Sequence, residues 1–94
     1  MKISGIIWLE TIVEKIVRKH HVSQGEIREV LRNSRHFRFV EKGYRQGENV
    51  YAAMGKTSTG RYLIVFFVRK KSQQALILSA RDMTRTERRR YEKK

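Results

Sequence analysis

The stretch that decides the fold is RYLIVFFVRKKSQQALILSA, residues 61–80. Its first half, YLIVFFV, is apolar at every position, which is typical of a strand buried on both faces. Its second half, ALILSA, has the same character, and only the short polar turn RKKSQQ separates the two. Two such runs joined by a short turn predict an antiparallel hairpin at the centre of a sheet.

Two further strands precede this hairpin. Apolar and polar side chains alternate in HFRFV, residues 36–40, as in a half-buried strand. The segment NVYAAMG, residues 49–55, predicts a second strand, and the turn KTSTG separates it from the central pair. The spacing of the four segments predicts a four-stranded antiparallel meander.

Helical patterns flank the predicted sheet. Between Trp8 and His20, apolar residues recur at the i, i+3, i+4 spacing of an amphipathic helix. Ser23 and Glu26 form a capping-box pattern that begins a second helix, which we expect to end near Ser34. The apolar residues 6–8 are read either as a brief strand or as an entry to the first helix.

A third helix is predicted at the end of the sequence. Thr84 and Glu87 repeat the capping-box pattern, so the basic segment after them is expected to continue a helix. Arg88 and Tyr91 are three residues apart and would share one face of it. The sequence therefore predicts a single α+β domain over residues 1–94, with two N-terminal helices, a four-stranded antiparallel sheet and a C-terminal helix.

The composition points to a polyanionic partner. The chain has 22 Lys and Arg against 9 Asp and Glu, a formal net charge of +13, and no cysteine. Such a field favours nucleic acid or an acidic protein, and the absence of cysteine excludes a disulfide framework and a thiolate metal site. No apolar segment is long enough to span a bilayer, and we expect no signal peptide, no membrane association and a cytoplasmic location.

Four short motifs, in order along the chain, carry a family resemblance. Trp8 is followed by the pair Lys19-His20 and then by Val22-Ser23; Tyr51 begins YAAMG; Gly60 and Arg61 begin GRYL; Ser79-Ala80-Arg81 is followed by Glu87, Arg88 and Tyr91. This arrangement resembles the BrnT family of type II toxins over nearly the whole length. The sequence departs from the family pattern at Leu9, Ile12, Ile16 and His21, where an acid, two polar residues and a glycine are usual.

The resemblance implies a RelE-like fold and a metal-independent endoribonuclease that arrests translation. It also implies a cognate antitoxin with a ribbon-helix-helix DNA-binding part, which neutralises the toxin. Metal-free RNA cleavage requires a proton-transfer group and guanidinium groups that hold the phosphate and its developing charge. Arginine suits the second task because its planar fork binds phosphate bidentately.

These requirements select five catalytic candidates: His20, Arg61, Arg81, Arg88 and Tyr91. Arg81 directly follows a buried strand and should be rigidly placed, and His20 is the proton-transfer candidate. Four more cations are expected to bind RNA phosphates: Lys19, Lys56, Arg85 and Arg89. With Arg90, Lys93 and Lys94, they would form a diffuse basic field.

Each candidate also has a purely structural interpretation. Arg81 would instead pair with Asp82, Glu87 or Glu26. Arg61 would be a cation beside a turn, and Arg88 would belong to a solvated helix face. Tyr91 would anchor the last helix to the sheet, and His20 would cap the first helix. The histidines lack metal-ligand spacing, so no metal and no cofactor are expected. The competing function is a non-catalytic basic protein of the same fold, which binds RNA or a partner by charge alone.

Overall fold

The structure, a computed structural model, describes residues 1–93; Lys94 lies outside the described residues. Eight elements follow one another in the chain: β1 (Gly5–Ile7), α1 (Glu10–His20), α2 (Gln24–Asn33), β2 (His36–Glu41), β3 (Val50–Lys56), β4 (Tyr62–Arg69), β5 (Gln74–Asp82) and α3 (Arg85–Lys93). The α+β class, the three helices and the antiparallel meander β2–β5 are as predicted from the sequence. None of the helices in residues 1–93 is long and apolar enough to cross a membrane.

The sheet has five strands, in the order β1-β5-β4-β3-β2, so the prediction of four strands was wrong. The additional strand is β1, which pairs in parallel with β5 from Gly5–Gln74 to Ile7–Leu76. A strand of three residues is too short to show a two-residue period, and its partner lies far away in the sequence. The pattern alone therefore left this segment open between a strand and a helix entry.

One face of the sheet, here called the first face, packs against α1 and α2. Leu63, Val65 and Phe67 of β4 are buried there with Ile16 of α1 and Ile27 of α2. Gly55 of β3 allows a close approach of α2, because an added Cβ would stand 3.3 Å from the side chain of Val30. The main core therefore lies between the first face and the two N-terminal helices.

The opposite face, here called the second face, has a smaller apolar cluster. It contains Ala52, Met54 and Ile64, with Phe66 and Tyr91 packed against it. Because Tyr91 belongs to α3, the last helix lies over this face at the end of the sheet where β4 begins. Alternation along β4 thus buries odd-numbered residues under α1 and α2 and directs even-numbered residues to the second face.

Both predicted capping boxes are present. The Ser23 hydroxyl accepts from the Glu26 N–H, and the Glu26 carboxylate accepts from the Ser23 N–H. Thr84 and Glu87 make the same reciprocal pair at the start of α3. Both caps satisfy N–H groups that a helix start otherwise leaves without a partner.

Candidate active site

Arg81 lies near the end of β5, where its guanidinium meets the first turn of α3. Nη1 and Nη2 donate to the two carboxylate oxygens of Glu87 at 2.8 Å and 3.0 Å. The guanidinium also stands 5.4 Å from the centre of the Phe66 ring, which places it on the second face. Arg81 is therefore part of β5, not the residue after it, and the last part of the strand places its guanidinium beside α3.

Tyr62 is the centre of a second group of contacts on the same face. The Arg88 guanidinium lies 3.8 Å from the centre of its ring, and the Lys56 ammonium lies 5.2 Å from it. The Tyr91 ring meets it edge-on at 6.0 Å. Arg88 and Lys56 are exposed and the two tyrosines are half-buried, so this group presents positive charge beside a partly exposed aromatic surface.

His36 joins this group from β2. Its ring is 4.9 Å from the Tyr91 ring in an edge-on arrangement. Because His36 pairs with Met54, its side chain belongs to the second face. We call the set Arg81, Arg88, Tyr62, Tyr91, His36 and Lys56 the second-face cluster. It combines an imidazole, two phenols and three cations on one face of the sheet.

Sequence reasoning passed over two members of this cluster, His36 and Tyr62. The signal for His36 was the alternation in HFRFV, since Phe37 packs into the main core and its neighbour must then point the other way. Tyr62 was assigned to the core because it begins an apolar run that continues to Val68. Only the topology shows that the second face at this end of the sheet remains partly open.

Arg61 does not join the second-face cluster. Its Nε donates to Asp82 at 3.2 Å, and its Nη1 donates to Glu26 at 3.0 Å and to the His21 carbonyl at 2.7 Å. Its Nη2 donates to Asp82 at 3.4 Å and to the His20 carbonyl at 3.2 Å. All five N–H groups of this side chain therefore have an acceptor. The side chain ties the α1–α2 connection to the ends of β4 and β5.

His20 and Lys19 lie at the end of α1, the helix that packs on the first face. The His20 carbonyl accepts from Arg61, but no hydrogen bond, ion pair or ring contact joins its side chain to the second-face cluster in residues 1–93. Lys19 is exposed. Arg85 and Arg89 are exposed one turn apart on α3, the helix that carries Arg88 and Tyr91.

Another opening lies at the opposite end of the second face. It is a cleft of about 540 Å³ between the β2–β3 loop and apolar side chains that include Val68 and Leu78. Two acids line it, Glu41 and Glu48, and Glu48 is already paired with the Lys70 ammonium at 2.8 Å. The lining contains no histidine, so proton-transfer chemistry favours the His36 end of the face. In the part of the chain that the structure describes, no group of three or more His, Cys, Asp or Glu residues is placed to hold a metal ion.

The ion pair between Arg81 and Glu87 predicts a change of stability in acid. The Arg81 guanidinium, helped by the Thr84 N–H and opposed by partial burial, lowers the pKa of the Glu87 carboxyl from 4.5 to about 2. A lowered folded-state pKa stabilises the fold above pH 4.5 and ceases to do so as the pH falls towards 2. Because Arg81 is about one-third exposed, we expect about 2 kcal/mol to be lost over this window.

Denaturant unfolding of the protein and of Glu87→Gln between pH 6 and pH 2 measures this loss. The difference in free energy of unfolding between the two proteins should shrink steadily below pH 4.5, because the glutamine does not titrate. If the difference in free energy of unfolding between the two proteins stays constant from pH 6 to pH 2, the assignment of this pKa to Glu87 is contradicted.

The comparisons with known proteins agree with this architecture. A search of curated proteins gives no match. The fold is similar to that in the 1.1 Å crystal structure of the Brucella abortus ribonuclease toxin, BrnT, with a TM-score of 0.61 and 17% sequence identity. The match covers 86% of this chain and 97% of that chain. The family model described as ribonuclease toxin, BrnT, of type II toxin-antitoxin system matches residues 8–87. Because that match spans most of the sequence, this chain belongs to the BrnT family of ribonuclease toxins.

Proposed function

We propose that this chain is a metal-independent endoribonuclease that cuts RNA at the second-face cluster and thereby inhibits translation. The observation that carries the proposal is that His36 and Tyr91 lie on the same face of the sheet as Arg81, Arg88 and Lys56. RNA supplies its own nucleophile, the 2′-hydroxyl, so a proton acceptor, a proton donor and phosphate-binding cations are sufficient.

In the proposed reaction, Arg81 and Arg88 hold the scissile phosphate. A base removes the proton from the 2′-hydroxyl, the 2′-oxygen bonds to phosphorus, and the bond from phosphorus to the 5′-oxygen breaks. An acid gives a proton to that departing oxygen. The products are a 2′,3′-cyclic phosphate and a 5′-hydroxyl end. His36 and Tyr91 are the two proton-transfer groups, and the Tyr62 ring is suited to stack on a base beside the phosphate.

The proposed site leaves out Arg61 and His20, which the sequence placed among the catalytic candidates. Every donor of Arg61 already has a protein acceptor, so a phosphate would have to displace a carboxylate or a carbonyl. The side chain of His20 makes no contact with the cluster within residues 1–93. We assign Arg61 to the fold and retain Arg85, Arg89 and Lys56 as phosphate-binding cations, while Lys19 adds to the field at longer range.

This assignment predicts unequal effects of two histidine substitutions. We expect His36→Ala to lower kcat for RNA cleavage by about 100-fold, as loss of a general acid or base does. We expect His20→Ala to stay within about threefold, because its contact with the rest of the fold runs through its backbone carbonyl. Steady-state cleavage of a fluorogenic oligonucleotide measures both. A larger loss of kcat in His20→Ala than in His36→Ala would instead assign proton transfer to His20.

We further propose that the fold is RelE-like and that the protein acts in the cytoplasm. Membership of a toxin–antitoxin family supports a cognate antitoxin as partner. An acidic antitoxin would match the net charge of +13, and the family resemblance implies an antitoxin with a ribbon-helix-helix part. No cofactor is needed for the proposed chemistry.

The competing function is a non-catalytic protein of the same fold that binds RNA or a partner by charge. The departures from the family pattern motivated it, but three of these residues, Ile12, Ile16 and His21, have structural explanations. Ile16 is buried in the main core, and Ile12 packs against it. His21 ends α1 in the left-handed conformation, with φ of 55°, where the family glycine would be expected. None of these residues belongs to the second-face cluster.

Incubation of purified protein with ribosome-bound and free RNA, in buffer containing EDTA, tests the proposed function. Cleavage should persist without metal and leave cyclic phosphate and 5′-hydroxyl ends. Uncut RNA over a wide range of enzyme concentrations, together with normal growth on strong induction without an antitoxin, would favour the binding function. In that case affinity should fall steeply with salt and show little sequence preference.

A further inference from the structure

Arg81 makes hydrogen bonds along one edge of its guanidinium and leaves another edge open. Nη1 and Nη2 donate in parallel to the Glu87 carboxylate, and the second N–H of Nη1 reaches the Asp82 carbonyl at 3.1 Å. The Nε–H and the remaining N–H of Nη2 form the adjacent edge. Within residues 1–93 these two donors have no hydrogen-bond acceptor. Two parallel donors are the arrangement that binds a phosphate bidentately.

Glu87 is itself held in place. Its Oε1 accepts from the Thr84 N–H at 2.8 Å, and its own N–H donates to the Thr84 hydroxyl at 3.1 Å. Its side chain is only 16% exposed. Because this carboxylate is part of the α3 cap, the guanidinium that it binds is fixed relative to α3. The Phe66 ring below Arg81 limits its movement on a further side.

Arg61 provides an internal comparison. Glu26, the capping-box acid of α2, also binds an arginine, but it accepts from Nη1 of Arg61 alone, at 3.0 Å and 3.2 Å. At Arg61, however, Asp82 occupies the Nε edge as well. Arg61 on the first face therefore has no free donor edge. Within residues 1–93, Arg81 on the second face keeps its Nε/Nη2 edge free.

We propose that Glu87 is a positioning residue, which orients Arg81 so that its Nε/Nη2 edge binds an RNA phosphate. The proposal rests on the proposed function, and it adds a residue that does not itself touch RNA. A free arginine side chain loses considerable rotamer entropy when it is immobilised on a ligand. Glu87 imposes that order before RNA arrives, so binding costs less at Arg81. An opposing possibility is that Glu87 competes with the phosphate, and the test separates the two.

The test measures the Kd of a 2′-O-methyl RNA oligonucleotide, which cannot be cut, for Glu87→Gln, Arg81→Ala and the double variant. Each single change should weaken binding by about tenfold, since each removes the oriented charged contact. The double variant should bind no more weakly than Arg81→Ala. Two controls accompany it. Glu14→Gln removes an equal charge from an exposed position on α1, on the first face, and Thr84→Ala weakens the cap but leaves the ion pair.

Two binding outcomes would overturn the proposal. Tighter binding by Glu87→Gln than by Glu14→Gln would show that Glu87 competes with phosphate. Fully additive losses in the double variant would show that Glu87 acts independently of Arg81. The orientation itself is read without RNA from the Arg81 Nε–H resonance, which should be sharp in the wild-type protein and averaged in Glu87→Gln. A sharp signal in both would also overturn it. This readout stands even if the protein neither binds nor cuts RNA, so the two failures are distinguishable.

Discussion

Arg81→Ala is expected to lower kcat for RNA cleavage by about 100- to 1000-fold, the usual result of removing one donor to a developing anion. The side chain lies on the second face, and one edge of its guanidinium is open to a phosphate. Loss of its ion pair with Glu87 should cost about 2 kcal/mol of folding free energy, as protonation of Glu87 in acid does, because the pair is partly exposed. The protein should therefore remain folded under assay conditions.

Single-turnover cleavage and thermal unfolding, measured on the same preparation, check this prediction. Arg32→Ala is the matched control, since it removes the same charge from an exposed position on α2. A loss of activity in Arg81→Ala that follows a comparable collapse in stability would show that the arginine is structural. Retained cleavage in a stable variant would exclude it from the site.

Arg61→Ala is expected to destabilise the fold strongly and to change kcat little, the opposite of Arg81→Ala. Removal of this side chain leaves Glu26, Asp82 and two backbone carbonyls without their shared donor. Because breaking a partly buried charged network leaves uncompensated groups behind, we expect a loss of about 3 kcal/mol of folding free energy. At a temperature where the variant is still folded, kcat should stay within about threefold of the wild type, since the second-face cluster is intact.

Urea unfolding gives the free energy, and cleavage at low temperature gives kcat. Arg61→Lys should recover little of the stability, because one ammonium cannot serve carboxylates and carbonyls arranged around a planar fork. A stable Arg61→Ala protein that fails to cleave RNA would contradict the account and return this arginine to the active site.

The fold was largely predictable because its determinants are local. Each capping box is defined by a segment of four residues, and the central hairpin follows from two apolar runs and a short turn. The strand β1 was not predictable, since three residues give no period and its partner β5 comes much later in the chain. Pairing of that kind is decided by the folded sheet edge and not by a sequence pattern.

The candidate site was predictable in part. The position of Arg81 at a strand end and the shared face of Arg88 and Tyr91 follow from local spacing. The contrast between Arg81 and Arg61 does not, because it depends on which acids the fold brings to each guanidinium. Glu26 is 35 residues from Arg61, while Glu87 is six residues from Arg81. The local sequence therefore indicated the ion pair between Arg81 and Glu87, but it did not predict that every donor of Arg61 would have an acceptor.

The most direct test of the account is to map which face of the protein an uncleavable RNA contacts. Backbone and side-chain NMR resonances would be followed during titration with a 2′-O-methyl oligonucleotide. The account predicts shifts concentrated at the second-face cluster and along exposed α3, with small changes at His20 and Arg61. Shifts centred instead on α1 and the α1–α2 connection, with Arg81 and Tyr91 unmoved, would contradict the claim that RNA is bound and cut on the second face.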